Sequence, residues 1–141
     1  MISATKIKYD MNIMHFISLF EAITRVHAKD CFDDNGRLVF VVQKGEIGKA
    51  IGKQGCNIKI MEDKLKKKIR IVEFEDDVVD FVRNMIAPLR VEGIADDDGM
   101  IMIKGNDTKT KGLLIGRESQ NMKRLGSVVR RYFKIRGIKV V

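Results

Sequence analysis

Between residues 47 and 59 the chain reads IGKAIGKQGCNIK, three glycines and three lysines set among apolar residues. Glycine beside lysine is the raw material of phosphate sites. Backbone without a Cβ lets amides approach an anion, and the ammonium groups attract it. A Walker loop separates its glycines by four residues and follows them with Lys and a hydroxyl that holds magnesium. Here three residues separate Gly48 from Gly52, and Gln54 stands where the hydroxyl belongs. A dinucleotide turn needs G-x-G-x-x-G after a strand, whereas Gly48, Gly52 and Gly55 lack that spacing and follow a short helical segment. What remains is Gly52-Lys53-Gln54-Gly55 as a G-x-x-G turn between two helices. Such a turn brings bare backbone to a sugar-phosphate chain, with the free amides of the next helix, from about Cys56, aimed at phosphate. Lys53 adds a solvent-facing charge, Lys49 and Lys59 stand nearby, and Asn57 lies in the first turn of the second helix. Ile47, Ile51 and Ile58 flank the turn and are expected to form an apolar floor for unstacked bases.

The remaining chemistry-bearing residues form no competing site. Cys31 and Cys56 stand apart, without a CxxC pair or a histidine at ligand spacing, which points to a reducing cytosol and no metal. Acidic residues gather in turns (Asp33, Asp34 and Asp96 to Asp98), where hairpin chemistry accounts for them. No Ser or Cys is placed with His as a nucleophile pair, so an enzyme and a cofactor are not expected. A net charge of +8 and a pI of about 9.6 favour an anionic partner, nucleic acid ahead of a membrane surface. The apolar stretch Met11 to Phe20 is too short for a membrane span and has no cleavage site after it. A cytoplasmic protein without a membrane partner is the expectation.

Two sets of elements must position the turn. Ile13, Phe16, Ile17, Phe20, Ile23 and His27 recur at helical spacing and predict a helix over about 11–28. CFDDNGRLVFVVQ reads as a hairpin around Asn35-Gly36, and Ile58, Met61 and Leu65 place a helix over NIKIMEDKLKKK, with IRIVEF closing as a strand. After Glu75-Asp76-Asp77 the order repeats: a helix ended by Pro88, a hairpin through Asp98-Gly99, helix, glycine break, helix and a last strand.

Register supports a duplication. An offset of 64 pairs Asp34 with Asp98, Gly48 with Gly112, Ile51 with Ile115, Gly52 with Gly116 and Lys53 with Arg117. It also pairs Asn57 with Asn121, Lys59 with Lys123, Lys66-Lys67 with Arg130-Arg131, and Ile71 with Ile135. Residues 1–74 carry 14 Lys and Arg against 9 Asp and Glu, and residues 75–141 carry 13 against 10. Two small basic domains, 1–75 and 76–141, packed rigidly together, are expected.

The core Ile51-Gly52-Lys53-Gln54-Gly55-Cys56-Asn57-Ile58, in this element order, resembles the I-G-x-x-G-x-x-I motif of type II KH domains. Two such domains in one short chain resemble the archaeal NusA-like transcription factors. The resemblance implies an α+β fold of two tandem αββααβ units, each a three-stranded sheet packed by helices. It implies that each G-x-x-G turn clamps about four nucleotides of single-stranded RNA. It also implies a role in transcription elongation, termination or antitermination, with RNA polymerase or a transcription complex as a further partner. Bacterial relatives carry an N-terminal polymerase-binding domain and an S1 domain that do not fit this length, which weakens the expectation of a direct polymerase contact. A ribosome-associated or polymerase-docking adaptor is the alternative. The second copy departs from the motif: Gly116-Arg117-Glu118-Ser119 has serine in place of the second glycine and adds a negative charge. Ser119 can instead cap the following helix. Gly116, Arg117, Glu118, Ser119, Asn121 and Lys123 are therefore expected to form a weaker or orienting grip, and residues 47–59 the principal one.

Overall fold

A computed structural model of the chain describes residues 11–141. They divide into two compact units, one ending at Glu75 and the other running from Asp76 to Val141. The first unit contains α1 (Met11–Thr24), β1 (Ala28–Asp34), β2 (Arg37–Val42), α2 (Ile47–Ile51), α3 (Cys56–Leu65) and β3 (Lys68–Glu73). The second contains α4 (Val78–Ile86), β4 (Val91–Asp97), β5 (Met100–Gly105), α5 (Thr108–Ile115), α6 (Gln120–Val129) and β6 (Gly137–Val140). Each unit is thus αββααβ, as expected. The first two strands pair antiparallel, and the last joins parallel to the middle one, in the orders β1-β2-β3 and β4-β5-β6.

The hairpins close through two-residue turns whose central residues are both left-handed, Asn35 and Gly36 (φ 54° and 86°) and Asp98 and Gly99 (φ 51° and 88°). That is type I′ geometry, whose twist matches the strands it joins. The Asp33 carboxylate accepts from the Gly36 amide and Asp96 from the Gly99 amide, both at 2.9 Å, so two of the turn acids have a structural task.

In the first unit α1 lays Phe20 on Phe40 of β2, the rings stacked 4.3 Å apart. Leu38, Val42, Ala50, Met61, Ile69 and Ile71 complete this core, with Ile13, Phe16, Ile17 and Ile23 half-buried against it. Burying each of the large side chains contributes about 2 kcal/mol. The second unit buries Phe81, Ile101, Ile103, Leu114, Leu125 and Val129. There the Tyr132 ring meets Phe81 edge-on at 6.1 Å.

Helix α1 ends at Thr24, earlier than the apolar spacing predicts. The Thr24 hydroxyl donates to the Phe20 carbonyl at 2.8 Å and accepts from the Val26 amide at 3.1 Å, while Arg25 turns left-handed (φ 58°). These bonds give the backbone an alternative to another helical turn. His27 therefore leaves the helical stripe and sits exposed, its Nδ1 2.8 Å from Glu21. Helix α3 stops at Leu65 because Lys66 is left-handed (φ 56°), which frees Lys68 to start β3. Helix α4 ends at Ile86; Ala87, ahead of Pro88, is extended (φ −55°, ψ 145°), as a residue before proline is driven to be.

One offset does not relate the two units throughout. The hairpins superpose in register at 63 residues, since Asn35-Gly36 corresponds to Asp98-Gly99 and the β1–β2 pair Asp34↔Arg37 to Asp97↔Met100. The expected pairing of Asp34 with Asp98 is therefore one residue out. At the G-x-x-G turns the offset is 64. In the last strands Lys68 and Gly137 hold matching positions, an offset of 69, because residues 130–136 replace the two-residue link 66–67. Ile135 lies in that link and not opposite Ile71. Sequence identity at a fixed offset cannot see such insertions; hydrogen-bond register can.

Candidate nucleic-acid interface

Helix α2 is short because Gly52 takes φ 82°, ψ 166°, a conformation open essentially to glycine alone. Lys53 follows, then Gln54 (φ 56°, ψ 28°) and Gly55 (φ 74°, ψ 19°) are both left-handed, and α3 begins at Cys56 (φ −61°, ψ −37°). The Gly55 amide donates to the Gly52 carbonyl at 3.0 Å, and the Gly52 amide to the Gly48 carbonyl at 3.1 Å. The result is a tight tip at the start of a ten-residue helix, whose first amides and positive end face the same way as the turn.

The two glycines serve different ends. A Cβ on Gly52 would stand 2.8 Å from Cys56 Sγ and 2.9 Å from the Asn57 amide carbon and nitrogen, so that position is closed from within. A Cβ on Gly55 would meet nothing within 4 Å, so there the open side is what a ligand's backbone would approach.

Around this tip Gly48, Lys49, Lys53, Gln54 and Lys59 are exposed, and Asn57 is half-buried. Ile47, Ile51 and Ile58 are half-buried against the unit's core, to which they commit their side chains, so they form less of an open floor than the sequence suggests. Ile60, 43% exposed on α3, is the more open apolar side chain beside Lys59, and the sequence reading passed over it. The apolar spacing Ile58, Met61, Leu65 marks the buried face, and Ile60 falls off that pattern, which is the signal that could have found it.

The second turn adopts the same backbone. Gly116 takes φ 75°, ψ 172°, Glu118 and Ser119 are left-handed at φ 52° and 60°, and α6 starts at Gln120. The Ser119 amide donates to the Gly116 carbonyl at 3.2 Å. Ser119 occupies the N-cap position, yet its hydroxyl makes no capping bond, because the left-handed backbone turns it away from the helix amides. The capping role considered from sequence is thus replaced by a conformational one, and holding serine left-handed costs about 1 kcal/mol. Aspartates cap elsewhere: Asp107 accepts from the Thr110 amide at 2.7 Å at the start of α5. That bond, with one from the Thr110 hydroxyl, holds the Asp107 carboxyl below the usual carboxylate range.

Shape is preserved between the two turns while charge is not. Lys49, Lys53, Gln54 and Lys59 correspond to Leu113, Arg117, Glu118 and Lys123. Arg117, Glu118, Ser119, Asn121 and Lys123 are all exposed, and Leu113 is 50% exposed where the first unit has a lysine. The second tip thus sets the negative charge of Glu118 beside the positive charge of Arg117.

Among the described residues no group of three or more His, Cys, Asp or Glu is arranged to hold a metal ion, and no helix is long and apolar enough to cross a membrane. Cys31 is buried, Cys56 exposed, and no disulfide joins them.

The family model for the KH domain matches residues 16–81. Three archaeal proteins carrying the name "Probable transcription termination protein NusA" are similar over most of the chain. That of Methanocaldococcus jannaschii is 36% identical over 89% of this chain and 70% of its own length. For Methanococcus vannielii the values are 34%, 96% and 80%, and for Halococcus morrhuae 31%, 90% and 93%. Among solved structures, the crystal structure of APE1850 matches with a TM-score of 0.69 at 32% identity, over 94% of this chain and all of that one.

Proposed function

Because the chain belongs to the archaeal NusA-like family of KH-domain proteins, we propose that it is a non-catalytic cytoplasmic protein that binds single-stranded RNA. Its role is in transcription termination or antitermination, in association with a transcription complex. The grip is the Gly52–Gly55 turn with Lys49, Lys53 and Lys59 around it. The observation that carries this reading is the exposed, lysine-flanked tip whose outward glycine leaves open space at the start of α3. A phosphate there meets unshielded amides, a helix dipole and ammonium groups together, three terms of the same sign. Nothing in such a contact depends on base identity, so the turn supplies affinity and register, and base edges supply preference. The second turn offers the same backbone with less positive charge and acts as the weaker grip.

The test is titration of single-stranded RNA and of duplex RNA at several salt concentrations. Single strands should bind tighter, with log affinity falling against log salt by about 0.7 for each phosphate neutralised. Four nucleotides held by one turn correspond to a slope of roughly −2 to −3. Binding that is indifferent to salt, or that favours the duplex, would refute the reading.

A further inference from the structure

Asn57 and Asn121 carry the same two features in the two units. Asn57 Nδ2 donates to the Lys49 carbonyl at 3.2 Å, and Asn121 Nδ2 to the Leu113 carbonyl at 2.8 Å. Each bond reaches eight residues back, across the turn, to a carbonyl in the last turn of the preceding helix, where main-chain partners run out. In each unit the same side chain occupies the space beside the first glycine. A Cβ on Gly52 would come within 2.9 Å of the Asn57 amide nitrogen, and one on Gly116 within 2.7 Å of that of Asn121. In the second unit Arg124 also donates to Asn121 Oδ1. Arginine can only donate, so this contact fixes the amide with its oxygen toward Arg124 and its nitrogen toward Leu113.

We infer that Asn57 and Asn121 are positioning residues, latches that hold each G-x-x-G turn in its left-handed form, and not RNA contacts. This rests on the RNA-binding reading above only for its consequence, since the latch itself is a property of the RNA-free protein. Each latch ties the two helices on either side of the turn, so the turn has its shape before any ligand arrives. It also explains why the first glycine of the motif is retained in both units when the second is not. Gly52 and Gly116 make room for the asparagine, whereas the position of Gly55 faces outward and tolerates Ser119. A pre-shaped turn binds without the loss of affinity that a partly populated one suffers.

The experiment uses the full chain with Asn57→Asp, which keeps the shape but sets an acceptor against the Lys49 carbonyl, and with Asn57→Ala as a second variant. In the absence of RNA, hydrogen exchange at the Gly52 and Gly55 amides should accelerate roughly tenfold, the factor that one lost hydrogen bond of about 1.4 kcal/mol gives. Affinity for single-stranded RNA should fall by a similar factor. Adding Gly52→Ala should cost less stability in the Asn57→Ala background than in the unaltered protein, because the space is vacated. Unchanged exchange with weakened RNA binding would reassign Asn57 as a direct contact and overturn the inference. Additive effects of Gly52→Ala and Asn57→Ala would overturn it too. If the unaltered protein bound no single-stranded RNA, the functional reading would fall, while the exchange measurements would still decide for or against the latch.

Discussion

Replacing Lys53 and Gln54 together by aspartate should weaken single-stranded RNA binding about a hundredfold at moderate salt and leave the fold intact. Both side chains are exposed, and Gln54 is left-handed at φ 56°, a conformation that aspartate tolerates better than most residues. Thermal unfolding should therefore be nearly unchanged. The expected loss of binding is electrostatic. One attractive charge at the tip is removed and two repulsive ones are placed where a phosphate would sit. A like-charge contact at the protein surface costs on the order of 1 to 4 kcal/mol, and about 2.7 kcal/mol is a hundredfold. Loss of a phosphate contact should also flatten the salt dependence by about one contact. Charge already differs at this position in the second unit, where Glu118 is the counterpart of Gln54. For that reason Arg117→Asp should cost less than the change in the first turn. Equal binding by the double-aspartate variant and the unaltered protein in a gel-shift assay would mean that the grip lies elsewhere.

Gly52→Ala should have the largest effect on stability, about 3 kcal/mol. Two costs combine. The backbone at φ 82°, ψ 166° is one that residues with a Cβ rarely adopt, a strain of about 1 to 3 kcal/mol. The added methyl would also lie 2.8 Å from Cys56 Sγ and 2.9 Å from Asn57, so α3 must shift or the asparagine must leave its carbonyl. For a unit of this size the midpoint of unfolding should drop by roughly 10 °C or more. Gly55→Ala is the contrast: the space is open, only the left-handed φ of 74° is unfavourable, and the cost should be about 1 kcal/mol. Calorimetry of the two variants side by side checks the order. Equal losses would show that backbone angle alone, and not the packed asparagine, governs the turn.

The glycine spacing and the hairpin dipeptides were legible because each needs a special backbone conformation that few residues supply. Asn35-Gly36, Asp98-Gly99 and the G-x-x-G turn all fall where the sequence puts them. Element order followed from the change between helical and strand periodicity. The end of α1 was not legible: Thr24 and Arg25 break an apolar spacing that continues through His27, and the break is a local hydrogen-bond choice. How far the isoleucines beside the turn are buried is not legible, because an apolar residue next to such a turn reads alike whether it faces ligand or core. In the fold they pack, half-buried, against the core of Phe20, Phe40 and Met61. Ser119 looked like a cap by type and position, and only its left-handed backbone shows otherwise. The bond of Asn57 to the Lys49 carbonyl was not legible either, since its partner lies eight residues back and is met only once the two helices fold across the turn.

In the proposed function the first turn holds RNA backbone and the second holds it less. Its most direct measurement is a titration of the unaltered protein with a short single-stranded RNA, followed through backbone amide signals by NMR. The amides from Gly52 to Asn57 should move first and furthest, with smaller changes from Gly116 to Asn121. Saturating RNA that leaves Gly52 to Asn57 unmoved while other signals shift would contradict the account.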